Sequence, residues 1–202
     1  MLKQMSIVVL ALTALASGVR AAEPPAGWSE PTVAHEGVRV MRAGGETIES
    51  AYRYLPPGKH RQEMVHEGMS VTMILRHDLG VAWMLLPMGN MYMETPIDSV
   101  AAEGPTAPSA QHVKEFREVG KEEIDGWPTT RYHVVTVQDG ERAEGDFWVT
   151  EHWIPIRIEI SADRAPSKAV TMELKDLKLQ PQDPALFELP PGATGIRAPF
   201  GR

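Results

Sequence analysis

The chain has 202 residues, a formal net charge of −7 and no cysteine. That length gives one domain with a real core rather than two ordinary ones, and the missing thiols exclude a disulfide framework, a thiolate metal site, a cysteine nucleophile and a lipidated cysteine. The acidic balance argues against a general nucleic-acid binder, and an apolar fraction of 43% argues against wholesale disorder.

Taken in chain order, residues 1–21 read as a secretory signal peptide. Lys3 supplies the charged start, Ser6 to Ala16 is an almost purely apolar run, and Val19-Arg20-Ala21 places compatible residues before a cleavage point. The run is short for a membrane span, which needs roughly 20 residues. Leu15-Ala16-Ser17-Gly18 approaches a lipoprotein signal, but Val19 stands where the acylated cysteine would be. The expected product is therefore periplasmic and unlipidated, and no later segment is apolar enough to span a membrane. Residues 22–35 form an N-terminal extension.

From there the pattern has period two. Met69, Val71, Met73 and Leu75 alternate with Ser70, Thr72, Ile74 and Arg76, and Ile156, Ile158 and Ile160 alternate with Arg157, Glu159 and Ser161. Val170, Met172 and Leu174 repeat the pattern, and Asp125-Gly126 and Asp139-Gly140 are turn dipeptides. The strands predicted this way cover 36–43, 46–55, 59–67, 69–77, 80–87, 90–94, 117–124, 128–138, 143–152, 155–162 and 168–178. Val113 and Phe116, three apart after Ser109, predict a short helix near 109–116. Leu186-Phe187-Glu188-Leu189 predicts a short segment docked on the sheet, and residues 193–202 a fraying tail. A mainly β chain with one apolar side per strand must cover that side. A strongly curved antiparallel sheet wrapped around its own apolar face does so, and closed loosely it leaves room for an apolar guest.

Three stretches carry a family resemblance. The first holds Arg61-x-Glu63, Ile74-Leu75-Arg76-His77-Asp78, the run Gly80 to Pro87 and Tyr92-Met93-Glu94. The second is Gly120-x-Glu122-x-Ile124-Asp125-Gly126-Trp127-Pro128-Thr129-Thr130-Arg131-Tyr132. The third holds Trp148-Val149-Thr150, Pro155-Ile156-Arg157-Ile158-Glu159 and Leu186-Phe187-Glu188-Leu189-Pro190-Pro191-Gly192. Together they resemble the periplasmic LolA/LolB-like superfamily, in particular its small secreted members. The resemblance covers roughly residues 40–192, and its motifs are turns and strand starts. It implies an unclosed β-barrel of about eleven strands with one or two short helices on the concave side. It also implies relatives that hold acyl chains in that concavity, as lipoprotein carriers do, and others that serve as sensory domains in the envelope. The chain departs from the carriers in having little helical material for a lid, and no carrier residue is transferred onto it. The β domain on this reading is 36–192.

Methionine is the unusual component. Nine of the eleven lie beyond the leader, and seven of those fall between Met64 and Met93. Flexible thioethers suit a surface that accepts variable acyl chains. The predicted lining is Met69, Val71, Met73, Leu75, Met91, Met93, Phe147, Val149, Ile156, Ile158 and Ile160, with an ordinary filled core as the alternative. A lipid, an acylated protein or another envelope protein would be the partner. A weaker alternative is Cu(I) held by Met88, Met91 and Met93. His60, Met64 and His66 share a strand face, but residues four apart on a strand are about 13 Å apart. No cofactor motif occurs and no catalytic residue is singled out. His66-Glu67 is followed by Ser70 where a zinc-protease helix needs histidine, and Gly68-Met69-Ser70-Val71-Thr72 lacks the second glycine of a nucleophile elbow. Trp83, Trp127, Trp148 and Trp153 are candidates for stacking or for packing, with Trp127 in its turn the one expected to be exposed.

Overall fold

The computed structural model describes residues 28–66, 68–87, 90–97, 112–138, 140–162 and 169–196. The signal peptide expected at residues 1–21, Met88 and residues 98–111 lie outside the described residues. Twelve strands form one curved sheet that does not close into a barrel. They are β1 (His35–Ala43), β2 (Glu46–Leu55), β3 (Lys59–His66), β4 (Met69–Arg76), β5 (Val81–Leu86), β6 (Met91–Pro96), β7 (Val113–Ile124), β8 (Trp127–Gln138), β9 (Glu141–Val149), β10 (Pro155–Ala162), β11 (Val170–Leu179) and β12 (Thr194–Ile196).

The order across the sheet is β12-β6-β5-β4-β3-β2-β1-β11-β10-β9-β8-β7. Two antiparallel meanders therefore meet at a central seam. One runs outward from β1 to β6, the other runs inward from β7 to β11, and β1 pairs with β11. β12 lies parallel to β6 at one edge, and β7 is the other edge.

Directly paired residues in a ladder point to the same side, so the register assigns the two faces. One row on the inner face runs Tyr132–Phe147–Ile158–Met172–Met41–Ile48 from β8 through the seam to β2. A second row runs Tyr52–Gln62–Met73–Met84–Met93–Ile196 from β2 to β12. The inner face carries most of the larger core cluster, including Tyr52, Tyr54, Phe147, Ile158, Met172 and Leu174. The outer face holds a smaller cluster of Ile74, Trp83 and Phe187.

Phe187 reaches that outer cluster from a 3₁₀ turn at Pro184–Phe187. Asp183 caps it by accepting from the Ala185 amide at 2.9 Å. The docking of Leu186 to Leu189 on the sheet agrees with the sequence expectation. The short helix expected near 109–116 does not, over the residues described there: Val113 and Phe116 lie in β7, and the concave-side helices that the resemblance implies are absent among the described residues. A bulge between Val113 and Glu115 lets residues three apart share a face, so the spacing that mimics a helix is that of an interrupted strand. Thr194 to Ile196, expected in a fraying tail, pair with Met91 to Met93 as β12.

Two glycines set how closely strands approach. A Cβ on Gly145 would stand 2.5 Å from the Glu159 carbonyl oxygen, and one on Gly37 would stand 2.7 Å from that of Lys175. Gly37 faces the register shift in the β1–β11 seam.

Candidate functional site: the inner face of the sheet

The inner face divides into two halves of different character. Over β7 to β10 it is filled by the chain itself. Trp28, from the N-terminal segment, meets Phe147 edge-on with ring centroids 5.4 Å apart and lies 5.8 Å from Trp153. Tyr132 stacks on Phe116 at 5.0 Å and on Trp153 at 5.6 Å. Thr32 donates its amide to the His152 carbonyl at 3.1 Å, which ties the N-terminal segment to the β9–β10 turn. Phe147, Val149, Ile156 and Ile158 beneath this layer are buried.

Over β3 to β6 the same face is methionine-rich and partly exposed. Met73, Met84 and Met93 stand side by side on three neighbouring strands. Met64 pairs with Val71, and Leu86 with Met91. All of these keep intermediate exposure, and Met69 at the hairpin tip is 45% exposed. Side chains of this type pack adaptably against apolar groups of varied shape.

All eleven lining residues named from the sequence fall on this one face. The structure separates them: Phe147, Val149, Ile156 and Ile158 belong to the filled half, while Val71, Met73, Met91 and Met93 belong to the partly exposed half. Leu75 is buried between His60 and Ala82, and Ile160 lies near the seam, paired with Val170. Sequence reasoning missed Met41, Met84 and Leu86, which share the face.

A polar cluster marks the boundary between the halves. Tyr52 Oη lies 2.8 Å from His60 Nδ1. His60 packs against Tyr54 at 4.9 Å and His77 at 5.1 Å. His35 donates from Nδ1 to the Val33 carbonyl at 3.0 Å and sits 5.1 Å from the Tyr54 ring. Tyr54 accepts from the Gly58 amide at 3.3 Å. Burial sets the proton affinities: it lowers His35 to about 4, holds His60 well below the ordinary imidazole value and raises the Tyr54 hydroxyl to about 12. These histidines are therefore neutral near pH 7. Arg39 lies with its guanidinium carbon 3.8 Å from the centroid of the Tyr52 ring. Ser50 and Gln62 are buried beside them.

Among the described residues no group of three or more His, Asp or Glu side chains is arranged to hold a metal ion. Met88 lies outside those residues, and His60 Nδ1 is engaged with Tyr52. Among the tryptophans, Trp83 and Trp148 are buried in clusters. Trp127, expected to be exposed, is partly buried against the larger core. Trp148 lies on the outer face between Arg131 and Arg157, with guanidinium carbons 4.9 and 5.8 Å from its ring. No helix of the described residues is long and apolar enough to cross a membrane.

Comparison with known proteins places this geometry. No curated protein matches the sequence. An uncharacterized conserved protein from Thermus thermophilus shares the fold, with TM-score 0.55, 15% identity, and coverage of 83% of this chain and 91% of that one. MucB does so with TM-score 0.52 and 15% identity, over 81% of this chain and 60% of its own length. The lipoprotein LppX of Mycobacterium tuberculosis aligns with TM-score 0.47 and 11% identity, over 75% of this chain and 88% of its own. The first two likenesses are of fold: a curved antiparallel sheet, the architecture that the resemblance read from the sequence implies. The DUF4412 family, described as a domain of unknown function, matches residues 36–155, from the first strand to the start of the tenth. The chain belongs to the DUF4412 family.

Proposed function

We propose that this chain is an exported envelope protein that holds the acyl chain of a lipid or of an acylated protein against the methionine half of its inner face. The observation that carries this reading is the row Met73–Met84–Met93, flanked by Val71, Leu86 and Met91, partly exposed on the side of the sheet that elsewhere forms the core. An apolar surface that the polypeptide seals on one half and leaves partly exposed on the other is suited to a guest. Each buried methylene of an acyl chain contributes about 0.8 kcal/mol before the costs of ordering, so a partly covered chain is enough for binding. The leader-like residues 1–21 support export.

The test is direct. Protein recovered from the periplasm is extracted with organic solvent and weighed intact by native mass spectrometry, and the delipidated protein is titrated with a fluorescent fatty acid. A co-purifying amphiphile and saturable fatty-acid binding are the expected results. Absence of both overturns the proposal.

A second reading takes a polypeptide as the guest. MucB, which shares the fold, is seen in a complex with MucA. Here the filled half favours it, since Trp28 and Trp153 already occupy part of the face a lipid would need. This reading expects a stoichiometric partner from envelope extracts and no amphiphile.

A further inference from the structure

The two halves of the inner face differ in chemistry as well as in exposure. The filled half is lined by aliphatic and aromatic side chains, among them Phe147, Ile156 and Ile158. The other half is built from thioethers. Met73, Met84 and Met93 are direct ladder partners on three neighbouring strands, and neighbouring strands lie about 4.8 Å apart. Met64 and Met91 stand in the adjacent row, paired with Val71 and Leu86. All five keep intermediate exposure, whereas Met172 in the seam is 2% exposed.

Leucine has nearly the volume and apolarity of methionine, so bulk alone does not call for sulfur in this row. Methionine adds an adaptable shape and a thioether that takes up oxygen. The chain has no cysteine, so no thiol of its own competes for an oxidant. The oxidisable sulfurs that reach water therefore collect on the half of the face assigned to the guest.

We propose that the row Met73–Met84–Met93 is an oxidation site whose modification by a hydroperoxide releases the bound acyl chain. The sulfur attacks one oxygen of hydrogen peroxide. The S–O bond forms as the O–O bond breaks, the sulfur gives up two electrons, and the other oxygen leaves as water. Reversal takes a dithiol-dependent methionine sulfoxide reductase, which returns the oxygen as water while its dithiol becomes a disulfide. The sulfoxide oxygen is a hydrogen-bond acceptor. On an open seat water satisfies it, because these positions are partly exposed, and the strands stand. Under an acyl tail it has no donor, so covering it is costly. The penalty falls on the occupied state and not on the sheet. This inference rests on the acyl-chain reading and adds its regulation.

The test treats delipidated full-length protein with hydrogen peroxide, maps sulfoxides by peptide mass spectrometry, follows the fold by circular dichroism and titrates a fluorescent fatty acid. Met73, Met84 and Met93 should oxidise well before Met172. Fatty-acid affinity should then fall at least about tenfold with the β spectrum unchanged. A mixture of the two reductases, one for each sulfoxide epimer, should restore it. A chain carrying Met73→Leu, Met84→Leu and Met93→Leu together, compared only with itself before and after peroxide, should change by less than about twofold. Should that variant not fold or not bind, the wild type decides: affinity must return in step with the loss of sulfoxide from the row. Unchanged affinity once the row is oxidised, a Met172 that oxidises as fast as the row, a loss that tracks loss of fold, or a loss that repair does not reverse overturns the assignment and leaves acyl binding standing. Failure of the untreated wild type to bind removes the acyl-chain reading itself, and this inference with it.

Discussion

Tyr52 and His60, diagonal neighbours two ladder pairs out of step on β2 and β3, are joined through Oη and Nδ1 at 2.8 Å. That contact fixes a neutral ring on the inner face. With His35 it makes the sheet acid-sensitive at a pH above the carboxylate range. Both imidazoles are harder to protonate folded than unfolded, so between their folded values and 6.5 the unfolded chain binds more protons. Stability is then full above pH 6.5 and falls as pH drops toward 4, by roughly 3 kcal/mol for His35 alone. Asp78, Asp146 and Glu173, held low by Arg76, Arg131 and Arg42 among others, lose their contribution only as pH falls further. Urea midpoints measured from pH 7 to 4 should decline through that window, and His35→Asn should flatten the decline. An unchanged slope in the variant would count against the assignment.

The outer clasp is a second target. Phe187 is fully buried against Ile74 and Trp83, and Arg76 bonds the Phe187 carbonyl at 3.2 Å while pairing with Glu188 and Asp78 at 2.7 Å each. Phe187→Ala should cost about 3–5 kcal/mol, read as a lowered melting temperature. Truncation after Gln182 should uncover Trp83 and shift tryptophan emission to the red. A truncated chain as stable as the full one would show the segment to be dispensable.

Close strand approach at Gly145 gives a third prediction. A side chain there meets the Glu159 carbonyl and Ile160. Gly145→Val should destabilise by about 1–3 kcal/mol through overpacking, while the same change at Gly120, where nothing lies near the added atom, should be far milder. Equal effects at the two sites would contradict the packing account.

Acyl binding itself predicts a face-specific result. Met84→Glu places a charge in the middle of the methionine row on a partly exposed position. Fatty-acid affinity should fall at least tenfold with little loss of fold, since the group keeps access to water. Thr72→Glu, on the opposite face of the neighbouring strand, should leave affinity unchanged. Binding that is insensitive to Met84→Glu would place the guest elsewhere.

Much of this architecture is legible in the sequence because period-two alternation is strong where one face is wet. In β10, Ile156 and Ile158 are buried while Glu159 is exposed. β5 is legible as a strand but not as to its faces. Val81, Trp83 and Leu85 are apolar because the C-terminal segment covers them from outside, and alternation then vanishes, which hides Met84. β1 misleads in the other direction. Val38 and Val40 look like its inward residues, yet Val40 pairs with Glu49 and Glu173 on the outer face and Arg39 points inward. Polar residues placed on a core face break the alternation on which that reading depends. The bulged start of β7 and the three-residue β12 carry too little periodic signal to be assigned by pattern.

The seam between β1 and β11 has a consequence for how the chain reaches this state. His35 finds Leu179, and Arg39 finds Leu174, across well over a hundred intervening residues, whereas every other antiparallel ladder joins strands consecutive in sequence. Two locally zipped ribbons can form quickly, but their union waits on a distant encounter, which makes that docking the slow step of folding. Until it occurs β1 exposes a bare edge able to template unwanted association, so substitutions along His35–Ala43 should reduce soluble yield more than equal changes in the outer hairpins.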